Sequence, residues 1–514
     1  MLAVVSIVSI GMHMKSNEQF DILIIGGAII DGTRSPRFEA DVGIRDGKIA
    51  AIGDLSGATG DRTIDATGRI VAPGFIDSHT HDDRAVLSDP DMIFKVSQGV
   101  TTVITGNCGI SLAPLRPDIE LPMPLILVEP DDPPRATAFG RFSEYLDALS
   151  STPSSVNVAA LVGHTTLRVM TMDNLGRTAT AEEVRAMQRL LIEALEAGAI
   201  GISTGTAYPP AAMASKEEVI EVCRPLTGSG GVYVTHMRNE AEDSVAALEE
   251  TFEIGRELDV PVVISHHKLL RQANFGKSAQ TLPLIRAAMN CQCVALDCYP
   301  YDASSTMLYA DETRLKERVR IATSVPHPEQ EGKDLADVAA EWGVSRLEAA
   351  RRLQPASAVY FSMDESDVQR ILAFDETMIG SDGLPAAERP HPRLWGTFPR
   401  ILGRYSRELG LFPLETAVWK MSGLTARNFG IENRGVLAAG NHADVVVFDA
   451  QTVRDRATYD EPAQPADGID VVIVNGALTW EKGVHTGARS GRVVTRTVEG
   501  GSRRRDRSLE SRRS

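Results

Sequence analysis

The chain has 514 residues, 43% of them hydrophobic and 24% charged, which is the make-up of a globular protein long enough for more than one domain. A formal net charge of −16 argues against a nucleic-acid binder, which would carry a basic footprint. Five scattered cysteines, an odd number, do not form the spacing of a secreted disulfide framework and suit a reducing, cytoplasmic setting.

Residues 1–19 read as a disordered leader. Its apolar opening, "MLAVVSIVSIG", is too short to span a bilayer and lacks the basic start of a signal peptide. Residues 20–71 read as β structure, with "FDILIIGGAIIDG" and "ADVGIRDGKIAAIG" as short strands and Asp46-Gly47 as a tight turn. The same texture returns at 429–496 in "HADVVVFDA" and "IDVVIVNGALTWEKG". The two ends therefore predict one small β domain assembled from both. Between them, over 72–428, eight apolar runs alternate with helical stretches: "APGFIDSH", "GVTTVITG", "SVNVAALVG", "AGAIGIST", "GGVYVTH", "VPVVISH", "CQCVALDC" and "DETMIGSD". That alternation predicts an α/β fold, a closed (β/α)8 barrel. The stretch from about 302 to 363 is longer than a β/α connection needs and reads as an insertion over the barrel mouth. The arginine-rich end, 497–514, reads as a solvated, disordered tail.

Active sites of such barrels lie at the C-terminal ends of the strands. The first run closes on His79 and His81, the second on Cys108, the fifth on His236, the sixth on His266 and the eighth on Asp382. Taken singly, a strand-end histidine is most often a hydrogen-bonded core residue, and a lone cysteine an inert buried thiol. Five such donors at the ends of four strands of one barrel reverse that reading. Side chains two apart in an extended segment project to one side, so His79 and His81 can chelate one ion. Imidazole and thiolate donors suit Zn²⁺ and disfavour Mg²⁺ or Ca²⁺. Their dispersal along the chain fits a catalytic rather than a structural site, with Asp382 as general base and acid. His267 should face away from His266, and His164, closing the third run, is a candidate to support the site or touch substrate. Cys291, Cys293 and Cys298 read as packing residues of the seventh strand.

With these residues in place, the chain resembles the N-acyl-D-amino-acid deacylases (D-aminoacylases) of the metal-dependent amidohydrolase superfamily. The blocks that carry the resemblance are "APGFIDSHTHDD", "GNCGIS", "GISTGTAYPP", "VYVTHMRNE", "ISHHK", "DCYPYDASST", "SDGLP" and "HPRLWGTFPRILG", within about 20–496. The resemblance implies a tight zinc held by Cys108 and His236 with Asp382 nearby, and a second, weaker position involving His79, His81 and His266. It implies that Lys268, Tyr299, Ser305 and Arg393 surround the substrate's α-carboxylate or scissile group. It also places Tyr208, Tyr360 and Met363 at the side-chain pocket. Relatives that prefer hydrophobic side chains carry a larger aromatic residue where Ala207 precedes Tyr208. The implied reaction is hydrolysis of N-acyl-D-amino acids by metal-activated water, giving a carboxylate and a free D-amino acid. Alternatives are a deacylase confined to N-acyl-D-glutamate or N-acyl-D-aspartate, and a cyclic amidohydrolase of the hydantoinase or dihydropyrimidinase kind. The latter typically carry a metal-bridging lysine that the fourth run lacks, and "GNCGIS" is foreign to them. A non-catalytic scaffold would have lost the donors that are present. The expected partner is a small N-acyl-D-amino acid, with no nucleic acid and no membrane.

Overall fold

The computed structural model describes residues 18–125, 138–385 and 389–496; the predicted tail and all but the last two residues of the predicted leader lie outside them. Eight strand positions run in chain order: Phe75–Asp77, Val100–Thr105, Asn157–Ala160 continued by Val162–Gly163, Gly201–Gly205, Val232–His236, Val262–Ile264, Val294–Cys298 and Thr377–Ile379. Each pairs in parallel with the next. The ring closes where Ser78 N donates to Ile379 O at 3.3 Å and Thr80 bridges Gly383. Strands buried on both faces need no polar alternation, which is why the sequence shows them as near-continuous apolar runs. Ile76, Ile104, Ala159, Val234, Val263, Ala295 and Met378, from seven of the strands, pack into one cluster inside the barrel.

The helices between the strands follow their sequence signals. Ala181–Ala197 starts in a capping box, where Thr180 Oγ1 accepts from Glu183 N and the Glu183 carboxylate accepts from Thr180 N. It ends at Gly198 and buries Met187, Leu191 and Ala194. Ser244–Leu258 stops at Asp259, whose left-handed backbone (φ 52°) cannot continue a helix.

The chain ends meet in one nine-stranded sheet. Gln19–Ile29 pairs in parallel with Thr59–Asp65 and antiparallel with Phe38–Arg45. Ile70–Pro73 pairs antiparallel with Val445–Phe448, the contact that joins the two ends. Asp46-Gly47 and Asn475-Gly476 both turn with two positive φ angles, the geometry of tight hairpins. The observed limits differ from the predicted ones in three places. Gln19, assigned to the leader, already lies in a strand, and the sheet runs on to Pro73, past residue 71. Farther on, the predicted C-terminal β segment gives its last residues to the barrel: Gly491 N donates to Ser154 O and Val494 N to Val158 O, beside the third barrel strand.

The insertion forms its own layer: strands Ser304–Met307, Ala356–Phe361 and Arg318–Ser324 pair antiparallel, backed by helices Leu335–Glu341 and Arg346–Leu353. Ile321, Val338 and Leu353 belong to its separate apolar core. One reading of the cysteines is corrected. Cys291 and Cys293 are exposed in the turn that precedes the seventh strand, because that strand begins only at Val294; Cys298 alone is buried at its end.

Candidate metal centre

Closure of the barrel brings the first and eighth strand ends together. Asp382 N donates to His79 O at 2.8 Å, and His81 N to Gly383 O at 3.3 Å. A buried ion pair fixes this seam: Lys95 Nζ lies 2.7 Å from Asp77 Oδ2, 2.9 Å from Ser381 Oγ and 3.2 Å from Asp82 Oδ2. Asp77 Oδ1 in turn accepts from Ser381 N. Breaking such a pair leaves an uncompensated buried charge, so Lys95→Ala is expected to cost about 3–5 kcal/mol of stability, measurable by denaturant unfolding.

At the second strand end, "GNCG" makes a turn around Cys108. Gly106 must lack a Cβ, since one there would lie 2.0 Å from Leu161 O. Asn107 Nδ2 donates to Ile104 O and Gly109 N donates to Ser203 Oγ, holding the turn. Cys108, His266 and Asp382 all have positive φ (55°, 33° and 50°), a costly backbone for non-glycine residues that is found where the surrounding fold enforces a functional geometry.

The predicted donors converge. Cys108 Sγ lies 3.3 Å from His79 Nε2, 3.3 Å from His266 Nε2 and 3.6 Å from His236 Nδ1. Asp382 Oδ1 lies 3.6 Å from His79 Nε2 and 3.3 Å from His81 Nε2, while its Oδ2 meets Arg393 Nη1 at 2.8 Å. Donor atoms within 4.8 Å of one another form two buried groups: His79, His81, Cys108 and Asp382, and Cys108, His236 and His266. Cys108 belongs to both, so the atoms sort differently from the division that the resemblance implies. Burial opposes ionisation of the Cys108 thiol, but the imidazoles of His79 and His266, with His236 beside them, outweigh it and bring the thiol well below its ordinary value. Burial would likewise raise Asp382, yet Arg393, His266 and His81 hold its carboxyl well below the usual carboxylate range. A thiolate and three or more imidazoles packed this closely have the donor chemistry of a zinc site.

Two carboxylates absent from the sequence reading stand behind the donors. Asp297, on the seventh strand, places Oδ1 3.5 Å from His79 Nδ1 and accepts from His266 N. Glu240 lies 3.0 Å from His266 Nδ1, 3.4 Å from His236 Nε2 and 2.7 Å from Lys268 Nζ. The only signal for Glu240 was its place four residues after His236 in "THMRNE".

Above the donors opens a cleft walled by the strand ends and the insertion; Tyr208, Lys268, Ser305 and Tyr360 line it. The Tyr208 ring packs 4.8 Å from His236, and the Tyr360 hydroxyl is tied to Met307 O and Tyr309 N. Tyr299, Met363 and Arg393 sit behind this wall. Tyr299 donates to Met363 Sδ, Arg393 lies over its ring at 4.6 Å, and Arg393 Nη2 donates to Ser305 O. Lys268 and Arg393 are buried, not surface charges. His164 turns to Glu218, 3.6 Å away, and joins neither donor group. His267 faces the opposite way from His266, onto Thr281.

A closed parallel barrel with thiolate, imidazole and carboxylate donors gathered at its C-terminal rim defines the class of metal-dependent hydrolases. A family model described as "Amidohydrolase family" matches residues 62–322 and 301–479. D-aminoacylase of Alcaligenes xylosoxydans xylosoxydans is 59% identical over 487 residues, 95% of this chain and 100% of the relative. The chain belongs to the N-acyl-D-amino-acid deacylase family of the amidohydrolases. Two solved structures are similar over 93% of this chain and 100% of theirs. One is a D-aminoacylase with a binuclear metal centre, described by one-metal activation and second-metal attenuation (TM-score 0.90, 59% identity). The other is N-acyl-D-glutamate deacylase from Bordetella bronchiseptica, complexed with zinc and a phosphonate inhibitor that mimics the tetrahedral intermediate (TM-score 0.89, 48% identity).

Proposed function

We propose that this chain hydrolyses N-acyl-D-amino acids to a carboxylate and the free D-amino acid, with zinc held by Cys108, His236, His266, His79 and His81 beside Asp382. The observation that carries this reading is the convergence of both donor groups on one buried thiol, with Asp382 alongside and an open cleft above. Bound zinc supplies a Lewis acid that acidifies water and favours negative charge on an acyl oxygen. The chain's own residues supply the rest. Asp382, held ionised, accepts the proton of the attacking water and returns it to the departing amine. Lys268, whose ammonium reaches the cavity, meets the substrate α-carboxylate, with Arg393 and Tyr299 beneath it completing the anion's surroundings. Fixing the α-carboxylate and the acyl carbonyl at two points leaves one enantiomer with its side chain in the open part of the cavity.

The test is a hydrolysis panel of N-acetyl-D- and N-acetyl-L-amino acids on enzyme before and after treatment with a zinc chelator. D-selective activity that chelation removes and added zinc restores is the expected result; exclusive L-activity overturns the reading. The relatives' names support amide hydrolysis of this class over a cyclic amidohydrolase. No helix among the described residues is long and apolar enough to cross a membrane.

A second reading narrows the side chain. Of the cations at the cavity, Arg238, Arg271 and Lys268 are paired with Glu250, Glu242 and Glu240. Arg314 lies over the Tyr309 ring at 3.9 Å and has no ion pair within 4 Å among the described residues. With Ala207 small at the same cavity, an acidic side chain finds space and a guanidinium that only the more distant Asp311 offsets, which favours N-acyl-D-glutamate or N-acyl-D-aspartate. A charged hydrogen bond contributes about 1.5–3 kcal/mol. Arg314→Leu is therefore expected to lower kcat/KM on these two substrates by about 10–150-fold and to spare N-acetyl-D-leucine. An equal effect on all three substrates would remove Arg314 from side-chain recognition.

A further inference from the structure

We infer that Glu240 is a positioning residue that sets the tautomers of two metal-facing imidazoles against the pull of Lys268. The inference rests on the metal-centre reading above and goes one layer behind it. His236 presents Nδ1 to the Cys108 thiol and Nε2 to Glu240; His266 presents Nε2 to the thiol and Nδ1 to Glu240. The two rings are thus turned oppositely, yet one carboxylate faces the outer nitrogen of each, with Oε2 toward His236 and Oε1 toward His266. An imidazole that donates its outer N–H keeps its inner lone pair for a cation.

Lys268 makes this a contest. Its Nζ lies 2.7 Å from His266 Nδ1 and 2.7 Å from Glu240 Oε1. An ammonium has only protons to give. Facing His266 alone, it would demand the Nδ1 lone pair and send the imidazole proton to Nε2, the nitrogen that faces the thiol, where it blocks coordination. Glu240 reverses that demand, because an anionic carboxylate accepts from the ammonium and from Nδ1–H together. All three groups are buried at the floor of the cleft.

The experiment measures zinc affinity by competition with a chromophoric chelator on the full chain, with no substrate present. Glu240→Gln keeps the shape but removes the charge and offers an N–H of its own. It is expected to weaken zinc binding by about 10–100-fold, the usual cost of losing such a partner. The double variant Glu240→Gln/Lys268→Met removes the competing ammonium and is expected to recover most of that loss, a rescue that a merely structural role would not produce. Unchanged affinity in Glu240→Gln overturns the inference, as does a weakened Glu240→Gln that Lys268→Met fails to rescue. Wild-type protein that takes up no zinc overturns instead the metal-centre reading underneath.

Discussion

Replacing Asp382 with asparagine is expected to lower kcat by about 10²–10⁴, the range a positioned general base contributes, while zinc content stays near that of the wild type. Arg393 at 2.8 Å and the imidazoles of His79 and His81 keep the Asp382 carboxylate ionised inside a buried site, so it stands ready to accept a proton. Its backbone is pinned by His79 O, which means the side chain is aimed by the barrel seam and not by a mobile loop. Asparagine preserves size and leaves Cys108, His236 and His266 in place as donors, but cannot take the proton. A near-wild-type rate in Asp382→Asn, with the zinc content unchanged, would remove Asp382 from the proton-transfer role. Loss of zinc in proportion to loss of rate would make it chiefly a ligand; Asp382→Ala, assayed with excess zinc, separates the two cases because added metal restores only a binding defect.

What the sequence made legible follows from how a parallel barrel is built. Buried strands announce themselves as apolar runs, and the polar residue that ends each run marks the catalytic rim. His79, His81, Cys108, His236, His266 and Asp382 could therefore be placed from run ends alone. Glu240 and Asp297 escaped that logic for opposite reasons. Asp297 lies within a strand, one residue before its end, where an acidic residue inside "VALDC" has no period to betray it. Glu240 lies beyond a strand in a turn, and only the return of Lys268 from the next strand shows what it does. Lys95 was hidden in the same way: its partners Asp77 and Ser381 lie at and just past the ends of the first and eighth strands, neighbours only once the ring closes. Domain limits shifted where pairing overrode local texture, as with Gly491 and Val494, which the third barrel strand recruits from the far end of the chain. Tyr299, Met363 and Arg393 carry the family's pattern, but their position behind the cavity wall depends on how the insertion folds over the rim, which no periodicity encodes.

Cys108→Ser should be the most damaging single change at the metal centre. The thiol is the one atom common to both donor groups, and two of its imidazole neighbours approach within 3.3 Å. Those imidazoles bring it well below its ordinary value, so it enters the site as a thiolate. Serine matches the shape, but an alcohol stays protonated at neutral pH and is a poor zinc donor beside imidazole. Without the metal the several kcal/mol of charge stabilisation it supplies is lost, which corresponds to a rate loss of about 10³ or more. Zinc content by elemental analysis should fall with the activity, and excess zinc should not restore either one fully. Folding gives the contrast. Cys108→Ala removes the thiolate, but the neighbouring imidazoles can then stay neutral, so the variant should unfold within about 1–3 kcal/mol of the wild-type apo-protein. An alanine variant that unfolds far more readily, yet whose folded fraction binds zinc as tightly as the wild type, would make Cys108 a packing residue and leave the four histidines and Asp382 as the donor set.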